Sequence, residues 1–465
     1  MNLDPGKLTS VDANGDRINL IPAEVRGFFR KHRTWTQIVL LVIFLGLPWT
    51  KIGGHQTLLL DIPEREFYVF GVVFRAHDVP LLFFILAALT LGLAFVTSVW
   101  GRVWCGWACP QTVFIDGVFR RIEKWTEGSY IDRRRLQAAP LNAEKFRKSG
   151  LKWFLFFAVS SAIAHSFLAY FVGAQDLLGM MQGSPQENRT YFLLASFFTA
   201  LILFDFGWFR EQFCVIMCPY GRIQSVLLDS KSLAVVYDVN RGEPRKGLNK
   251  DPQSKVGDCV SCNRCVQVCP TGIDIRNGLQ MECIACTACI DACDEIMTKV
   301  KKPKGLIRYD TLDGSKLSLK KPRSIIYMTG IAILIGGLAW AVASREPAHI
   351  AILRGLGVPY SYVKGVQNED LILNQFRLHI QNQGEHRARY ELALVKSVDH
   401  PDLQMQVAEN PLTLAPKEFR EWFFFFRVPP EYFKNSSKIS VKIEVRDLES
   451  DFKTSRDVIL IGPQL

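Results

Sequence analysis

Hydrophobic and polar positions along this chain follow two different rhythms. Five apolar runs, Thr34–Thr50, Val79–Val99, Trp153–Val172, Tyr191–Trp208 and Ile325–Ala343, reach or approach the about 17–25 residues that a bilayer-crossing helix needs. The first is the shortest and carries Pro48. Trp35, Trp49, Trp100, Trp153, Trp208 and Trp340 stand at or near the ends of these runs, as interfacial aromatics do. Buried helices of a soluble protein are the alternative, and the aromatic ends argue against them. From Arg345 onward the period becomes two. Phe376, Leu378 and Ile380 alternate with Arg377, His379 and Gln381, and Ile439, Val441, Ile443 and Val445 alternate with Ser440, Lys442, Glu444 and Arg446. With Tyr390–Val395, Trp422–Val428 and Val458–Ile461 these predict an antiparallel, Ig-like sandwich, without the Cys…Trp…Cys hallmark of true immunoglobulin domains. A short hairpin about Gly71 is predicted within Phe67–Phe74.

Charge adds an orientation. The formal net charge is +11, and residues from Arg345 onward contribute 16 basic and 16 acidic side chains, so the excess lies before them. Lys and Arg number 6 in the first 33 residues, 10 in Gly101–Gly150 and 19 in Arg210–Ser324. The two intervening loops hold only Arg65 and Arg75, and Arg189. By the positive-inside bias, the N-terminus and the two basic loops face the cytoplasm, and the C-terminal domain faces outward. The basic charge flanks apolar runs, so it points to lipid and not to nucleic acid. The polar first 33 residues contain no cleavable secretory signal.

The resulting reading is a multi-domain integral membrane protein. A cytosolic tail occupies residues 1–33, a four-helix membrane domain 34–224 and a cytosolic ferredoxin domain 225–324. A fifth transmembrane helix follows at 325–344, then an all-β Ig-like domain at 345–465.

All twelve cysteines lie between Cys105 and Cys293, on or at the edge of the reducing side. Eight form two runs, Cys259-x-x-Cys262-x-x-Cys265-x-x-x-Cys269-Pro270 and Cys283-x-x-Cys286-x-x-Cys289-x-x-x-Cys293. This is the bacterial ferredoxin spacing, in which the fourth cysteine of each run ligates the other cluster. One 4Fe–4S cluster is therefore assigned to Cys259, Cys262, Cys265 and Cys293, and a second to Cys283, Cys286, Cys289 and Cys269. Asp294 stands where the motif's proline would follow the second run. Structural zinc would use Cys pairs separated by a longer stretch.

The other four cysteines form a repeated C-x-x-x-C-P, Cys105–Pro110 after the second apolar run and Cys214–Pro219 after the fourth. Cysteines four apart share a helix face, and Pro110 and Pro219 suit the first position of a following helix. Pseudo-symmetric packing of the two halves would bring Cys105, Cys109, Cys214 and Cys218 together at the cytosolic boundary. Soft thiolates there suit Cu(I), zinc or an iron–sulfur centre, and Met217 could add a thioether; small buried packing residues are the alternative. His165 is the single histidine inside a run and reads as a satisfied packing residue. Asp205 reads as a boundary or helix-pairing residue.

The order of spans, WCGWACPQTVF, spans, FCVIMCPYGRIQS, double ferredoxin, span and β domain resembles the CcoG family of cytochrome oxidase accessory proteins, also called FixG or RdxA. The membrane motifs place that family in a polyferredoxin group with the NapH and NosR electron-transfer proteins. The resemblance implies reduction of Cu(II) to Cu(I) and assembly of a cbb-type cytochrome oxidase, with copper ions, a copper-transporting P-type ATPase and oxidase assembly factors as partners. Cys105, Cys109, Cys214 and Cys218 then form the candidate copper site. A quinol-linked electron-transfer subunit and a non-redox scaffold are the competing functions. The electron donor is not specified, and homo-oligomerisation is left open.

Overall fold

The computed structural model describes residues 20–74, 79–245, 257–344, 346–355, 357–364, 369–384, 386–395, 403–416, 418–434 and 436–463. Most of the N-terminal tail, Arg75 and Arg345 lie outside these residues. The chain divides into two compact units, Met1–Ala339 and Trp340–Leu465.

In the first unit, long helices form where the apolar runs predict them: α1 (Phe28–Gly46), α2 (Val79–Trp100), α3 (Ala143–Val172) and α4 (Arg189–Ile202). The last runs on as π-helical turns over Leu203–Phe209. α3 starts because Asn142 accepts a hydrogen bond from the Lys145 N–H at 2.8 Å, and it stops at Gly173, whose φ of 95° suits the left-handed region. Hydroxyls inside α2 are satisfied within the helix, Thr90 donating to the Leu86 carbonyl and Thr97 to that of Leu93. Leu81–Trp100, Ala143–Val172, Arg189–Phe209 and, further along, Pro322–Ala343 are long and apolar enough to cross a membrane. The five-span expectation depends on α1, which is not among these four. Its opening turns carry Arg30, Lys31 and Arg33, so its apolar part is too short to qualify by the same measure.

The hairpin forms as read. Glu66–Val69 pairs with Val72–Phe74, and Phe70 and Gly71 both take positive φ, 49° and 85°, as a two-residue turn of matching twist requires.

After the second C-x-x-x-C-P, strand Leu233–Tyr237 pairs antiparallel with Ile307–Thr311. Between them the chain carries both cysteine runs and helix α5 (Ala288–Lys299). Val235, Ile275, Ile290, Met297, Leu306 and Ile307 make the core beneath them. This lobe is tied to α1 by one side chain. Asp291, on α5, accepts hydrogen bonds from the backbone N–H groups of Phe29 at 3.2 Å and Arg30 at 2.7 Å. It thus caps a helix that is 262 residues away and has no cap of its own. Gly27 leaves the room, because a Cβ there would strike the Asp291 carboxylate.

Helix α6 (Pro322–Ala343) leads into the second unit. There a five-stranded sheet, centred on Asp370–Asn382 between Phe419–Val428 and Ala348–Arg354, and a four-stranded sheet including Ala388–Leu394, Lys438–Asp447 and Lys453–Ile461 supply the strands of the Ig-like sandwich. Phe376, Leu378 and Ile380 are buried, as are Ile439, Val441, Ile443 and Val445, on the faces that the alternation assigns to the core. Phe376 sits opposite Phe424 in the register, their rings stacked at 5.5 Å.

Replacing Asp291 by Ala leaves two N–H groups of α1 without a partner. The variant is expected to lose about 1–2 kcal/mol, and the amides of Phe29 and Arg30 to exchange faster in hydrogen-exchange mass spectrometry. Unchanged exchange at those amides would show that α5 does not hold α1.

Candidate functional site

The two cysteine runs fold into the same backbone shape. Ser261 and Asn263 flank Cys262 with φ of 55° and 54°, and Ala285 and Thr287 flank Cys286 with φ of 51° and 63°. Non-glycine residues rarely adopt this conformation, least of all a β-branched threonine. It turns successive N–H groups toward one side, the arrangement that cradles an anionic centre. Each loop then enters a helix, Arg264–Gln267 in the first run and α5 in the second.

The thiols interleave across the two runs. Cys293 has Cys265, Cys259 and Cys262 within electrostatic reach. Cys269 is beside Cys286, and Cys283 beside Cys269 and Cys286. A small cavity is lined by Cys269, Cys283, Cys286 and Cys289 together, with Cys265 of the first run at its wall. Among the described residues, no three His, Cys, Asp or Glu side chains gather closely enough to hold one metal ion. A cubane distributes its thiolates over separate corners, so this spread suits a cluster better than a single ion. Burial pushes the thiols up, Cys265 to about 11 and Cys283 and Cys293 to about 12. Loading a cluster therefore has to displace protons. The Tyr237 hydroxyl stands beside Cys259 in the first set, and the Thr271 hydroxyl lies 3.4 Å from the Cys269 sulfur in the second.

The four membrane cysteines also lie within electrostatic reach of one another, though no three of them gather closely enough to hold one metal ion. Cys105 has Cys109 and Cys218 as neighbours, and Cys214 has Cys109, Cys105 and Cys218. They do not share continuous helix faces, however. Cys105 lies in the short helix Val103–Trp107, while Cys109 is extended (ψ 128°) and caps the next helix, Pro110–Phe114. Cys214 lies in π-helical turns and Cys218 (ψ 111°) caps Pro219–Leu227. The prolines explain the break: each occupies the first helical position and forces the preceding cysteine out of the α region. The second cysteine of each pair thus sits at a helix N-terminus, where the nearby N–H groups of Gln111 and Thr112 favour negative charge on the Cys109 sulfur. Burial raises Cys105 to about 11 and raises Cys109 and Cys214 as well.

Polar side chains stitch the halves together around these thiols. Gln224, fully buried in the second half, donates to the Cys105 sulfur at 3.1 Å. Gln111 donates to Asp205 at 2.9 Å and to the Arg210 carbonyl at 3.2 Å, which makes Asp205 a helix-pairing residue. His165 meets its own helix through Nδ1, 2.7 Å from the Ser161 carbonyl. Asp116 gathers Arg30, Arg33 and Arg120; Arg120 also pairs with Glu211, and Glu123 with Arg210 and Arg133. Those guanidiniums hold the Asp116 carboxyl well below the usual carboxylate range despite its burial.

The two thiol sites meet at Arg102 and Gly106. A Cβ at Gly106 would lie 2.6 Å from the Ala285 carbonyl oxygen and 2.7 Å from that of Ile284, so the first membrane motif rests directly on the Cys283–Cys286 loop. Arg102 is only 7% exposed. It donates to the carbonyls of Met281, Cys283 (3.1 Å) and Gly221 (3.3 Å), and no carboxylate lies within ion-pair distance among the described residues. Its charged neighbours are Cys283 and Cys105, one in each site, and Glu282. A buried cation needs negative charge nearby, which Glu282 and a thiolate-ligated cluster at Cys283 would supply. Neither Arg102 nor the Asp116 network was singled out in the sequence reading. The recurrence of an arginine just before each C-x-x-x-C-P, Arg102 and Arg210, is the signal that could have found them.

Comparison with known proteins follows this division. A 4Fe-4S dicluster domain model matches residues 209–312, a 4Fe-4S binding domain model matches 81–127, and the model of the Ig-like fold at the C-terminus of FixG matches 338–463. Protein RdxB of Cereibacter sphaeroides is 32% identical over 95% of this chain and 96% of its own length. Nitrogen fixation protein FixG of Rhizobium meliloti is 39% identical over 64% of this chain and 58% of its own. Ferredoxin-type protein NapH of Haemophilus influenzae is 25% identical over 51% of this chain and 85% of its own.

Removing the Arg102 charge disfavours an added electron nearby. In R102Q, an EPR-monitored redox titration is expected to show one cluster signal moved to lower potential and the other unmoved, with R102K restoring most of the shift. Two unmoved signals at full iron content would show that Arg102 serves packing alone.

Proposed function

The chain belongs to the FixG/RdxA/RdxB family and is an iron–sulfur electron-transfer protein of the membrane, and on that premise we propose that it reduces Cu(II) to Cu(I) at Cys105, Cys109, Cys214 and Cys218. The observation that carries this reading is the seat of the Cys283–Cys286 loop on Gly106, inside the first C-x-x-x-C-P. In the proposal, Cys259, Cys262, Cys265 and Cys293 hold one cluster and Cys283, Cys286, Cys289 and Cys269 the other. When bound, such clusters supply single electrons, and each reduction of Cu(II) consumes one. The Cys283–Cys286 loop is the one that meets the membrane motif, which makes its cluster the nearer of the two.

The chain's own residues then have defined tasks. Four neighbouring thiols offer soft ligands, which favour Cu(I) over Cu(II) and so make reduction more favourable. Helix N-termini at Cys109 and Cys218 offset thiolate charge, and Gln224 orients Cys105. The Cu(I) is handed to a copper-transporting P-type ATPase and on to assembly of a cbb-type cytochrome oxidase, partners that come from the family resemblance. The C-terminal Ig-like domain docks a periplasmic component in this scheme, with the thiols on the cytoplasmic side of the inner membrane.

One observation favours a second reading of the membrane cysteines. The 4Fe-4S binding domain model covers 81–127, and so Cys105 and Cys109. In that reading they help hold an iron–sulfur centre of their own.

Iron content separates the two. Two cubanes give about eight iron atoms per chain in anaerobically purified protein, and a third centre would raise that count. With eight, C109S/C218S should keep iron and EPR signals while chelator-trapped Cu(I) forms roughly tenfold more slowly or worse, the scale on which altered metal sites lose function. Copper reduction at the parent rate would remove the membrane thiols from the reaction.

Orientation has its own check. A phosphatase joined after Gly462 is expected to be active and one joined after Arg245 inactive. The reverse pattern would move the thiols to the periplasmic side.

A further inference from the structure

Beside the Cys286 loop lies a cavity of about 400 Å³, within the range of small-molecule sites. Seven arginine and lysine side chains line it, against only Glu24 and Asp116. Arg30, Arg33 and Arg120 are engaged with Asp116, and Arg133 with Glu123. That leaves Arg26, Arg121 and Lys124 without a carboxylate within ion-pair distance among the described residues. Such an excess of fixed positive charge in a concave site calls for an anion. The rest of the wall is different in kind. Trp125, 84% exposed, presents a flat aromatic face, Val25, Val268 and Pro270 are apolar, and Cys286 belongs to the lining itself.

We propose that this cavity is the reductant port, taking a phosphorylated flavin whose phosphate meets Arg121 and Lys124 and whose ring system lies against Trp125, toward Cys286. The inference rests on the reading of Cys286 as a cluster ligand and names the electron donor that the proposed function requires. A planar, partly apolar ring suits the aromatic and aliphatic side of the wall, and a phosphate suits the basic side. The redox arithmetic selects a flavin over a nicotinamide. A nicotinamide gives up its two electrons together as hydride, whereas a cluster accepts one electron at a time. A flavin hydroquinone can release its two electrons singly. It loses two electrons and two protons to become oxidised flavin; the electrons reduce two clusters by one each, and the protons pass to water. Two clusters in the lobe match that yield.

A phosphate could also arrive on an anionic lipid headgroup, so the test separates the two sources. The full chain, loaded with iron–sulfur clusters, is placed anaerobically in nanodiscs of neutral phosphatidylcholine and titrated with FMN by fluorescence quenching. The expected result is saturable binding that inorganic pyrophosphate competes away and that riboflavin, lacking the phosphate, does not reproduce. R121Q/K124Q should bind FMN about tenfold more weakly or worse, as loss of two charge-assisted hydrogen bonds implies. Reduced FMN should bleach the cluster absorbance more slowly in that variant, while dithionite bleaches both proteins at the same rate. Equal FMN affinity in parent and variant, or no FMN binding at all, overturns the proposal. So does loss of FMN binding when phosphatidylglycerol is included in the nanodiscs, which would make the cavity a lipid site. No copper is present in any arm, so failure here is distinct from failure of copper reduction. An iron-free preparation would instead bring down the cluster reading beneath both.

Discussion

The architecture of the first unit turns on one close approach, the Gly106 backbone against the carbonyls of Ile284 and Ala285. No side chain larger than hydrogen fits there, and the polar groups left facing one another need a donor. Arg33 supplies one to the Gly106 carbonyl at 2.6 Å and the Tyr309 hydroxyl one to that of Ala285 at 3.0 Å, while the Arg102 guanidinium reaches neighbouring carbonyls of the cluster loop and that of Gly221 in the second half. A cation so placed is costly to bury unless negative charge surrounds it. Glu282 and thiolate ligation of a cluster at Cys283 would meet that requirement, which ties the packing of the membrane motif to the chemistry of the cluster loop.

The buried ion network serves the same seat from the other side. Asp116 draws Arg30 and Arg33 from α1 to the segment after the first C-x-x-x-C-P, and Arg120 carries the connection to Glu211, three residues before Cys214. Losing one member would strand a buried charge, at a cost of about 3–5 kcal/mol. Such a network is poor at adding stability but specific about geometry, and it fixes how the membrane motif meets the cluster loop. Asp291 extends the tie by fixing the start of α1 to the helix that follows Cys286.

Much of this was legible in the sequence where a pattern repeats. Helix length and the run of apolar residues located α2, α3, α4 and α6, and period-two alternation located the strands around Phe376 and Val441. The spacing of the two runs suggests how their thiols divide, and Cys293 of the second run does stand near Cys259, Cys262 and Cys265 of the first. Patterns failed where a local rule was overruled. Four-residue spacing suggested a shared helix face for Cys105 and Cys109, but Pro110 breaks the helix between them and moves Cys109 to a cap. Thr287 at a φ of 63° contradicts the preference of a β-branched residue, and only the demands of the loop account for it. Arg102 was invisible for a different reason: its partners are backbone carbonyls more than 100 residues away, which leave no mark on composition.

The central claim is that electrons leave the cluster loop through its contact with the first membrane motif. Gly106→Val tests it directly, since the added side chain must push Ala285 and Ile284 away from Cys105 while leaving every cysteine in place. The measurement is anaerobic stopped-flow of the dithionite-reduced protein against Cu(II) with a Cu(I) chelator, on samples matched for iron content. The account predicts that the clusters form and are reduced as in the parent, while their reoxidation by Cu(II) slows in step with Cu(I) formation. Reoxidation at the parent rate, with the same yield of Cu(I), would contradict it.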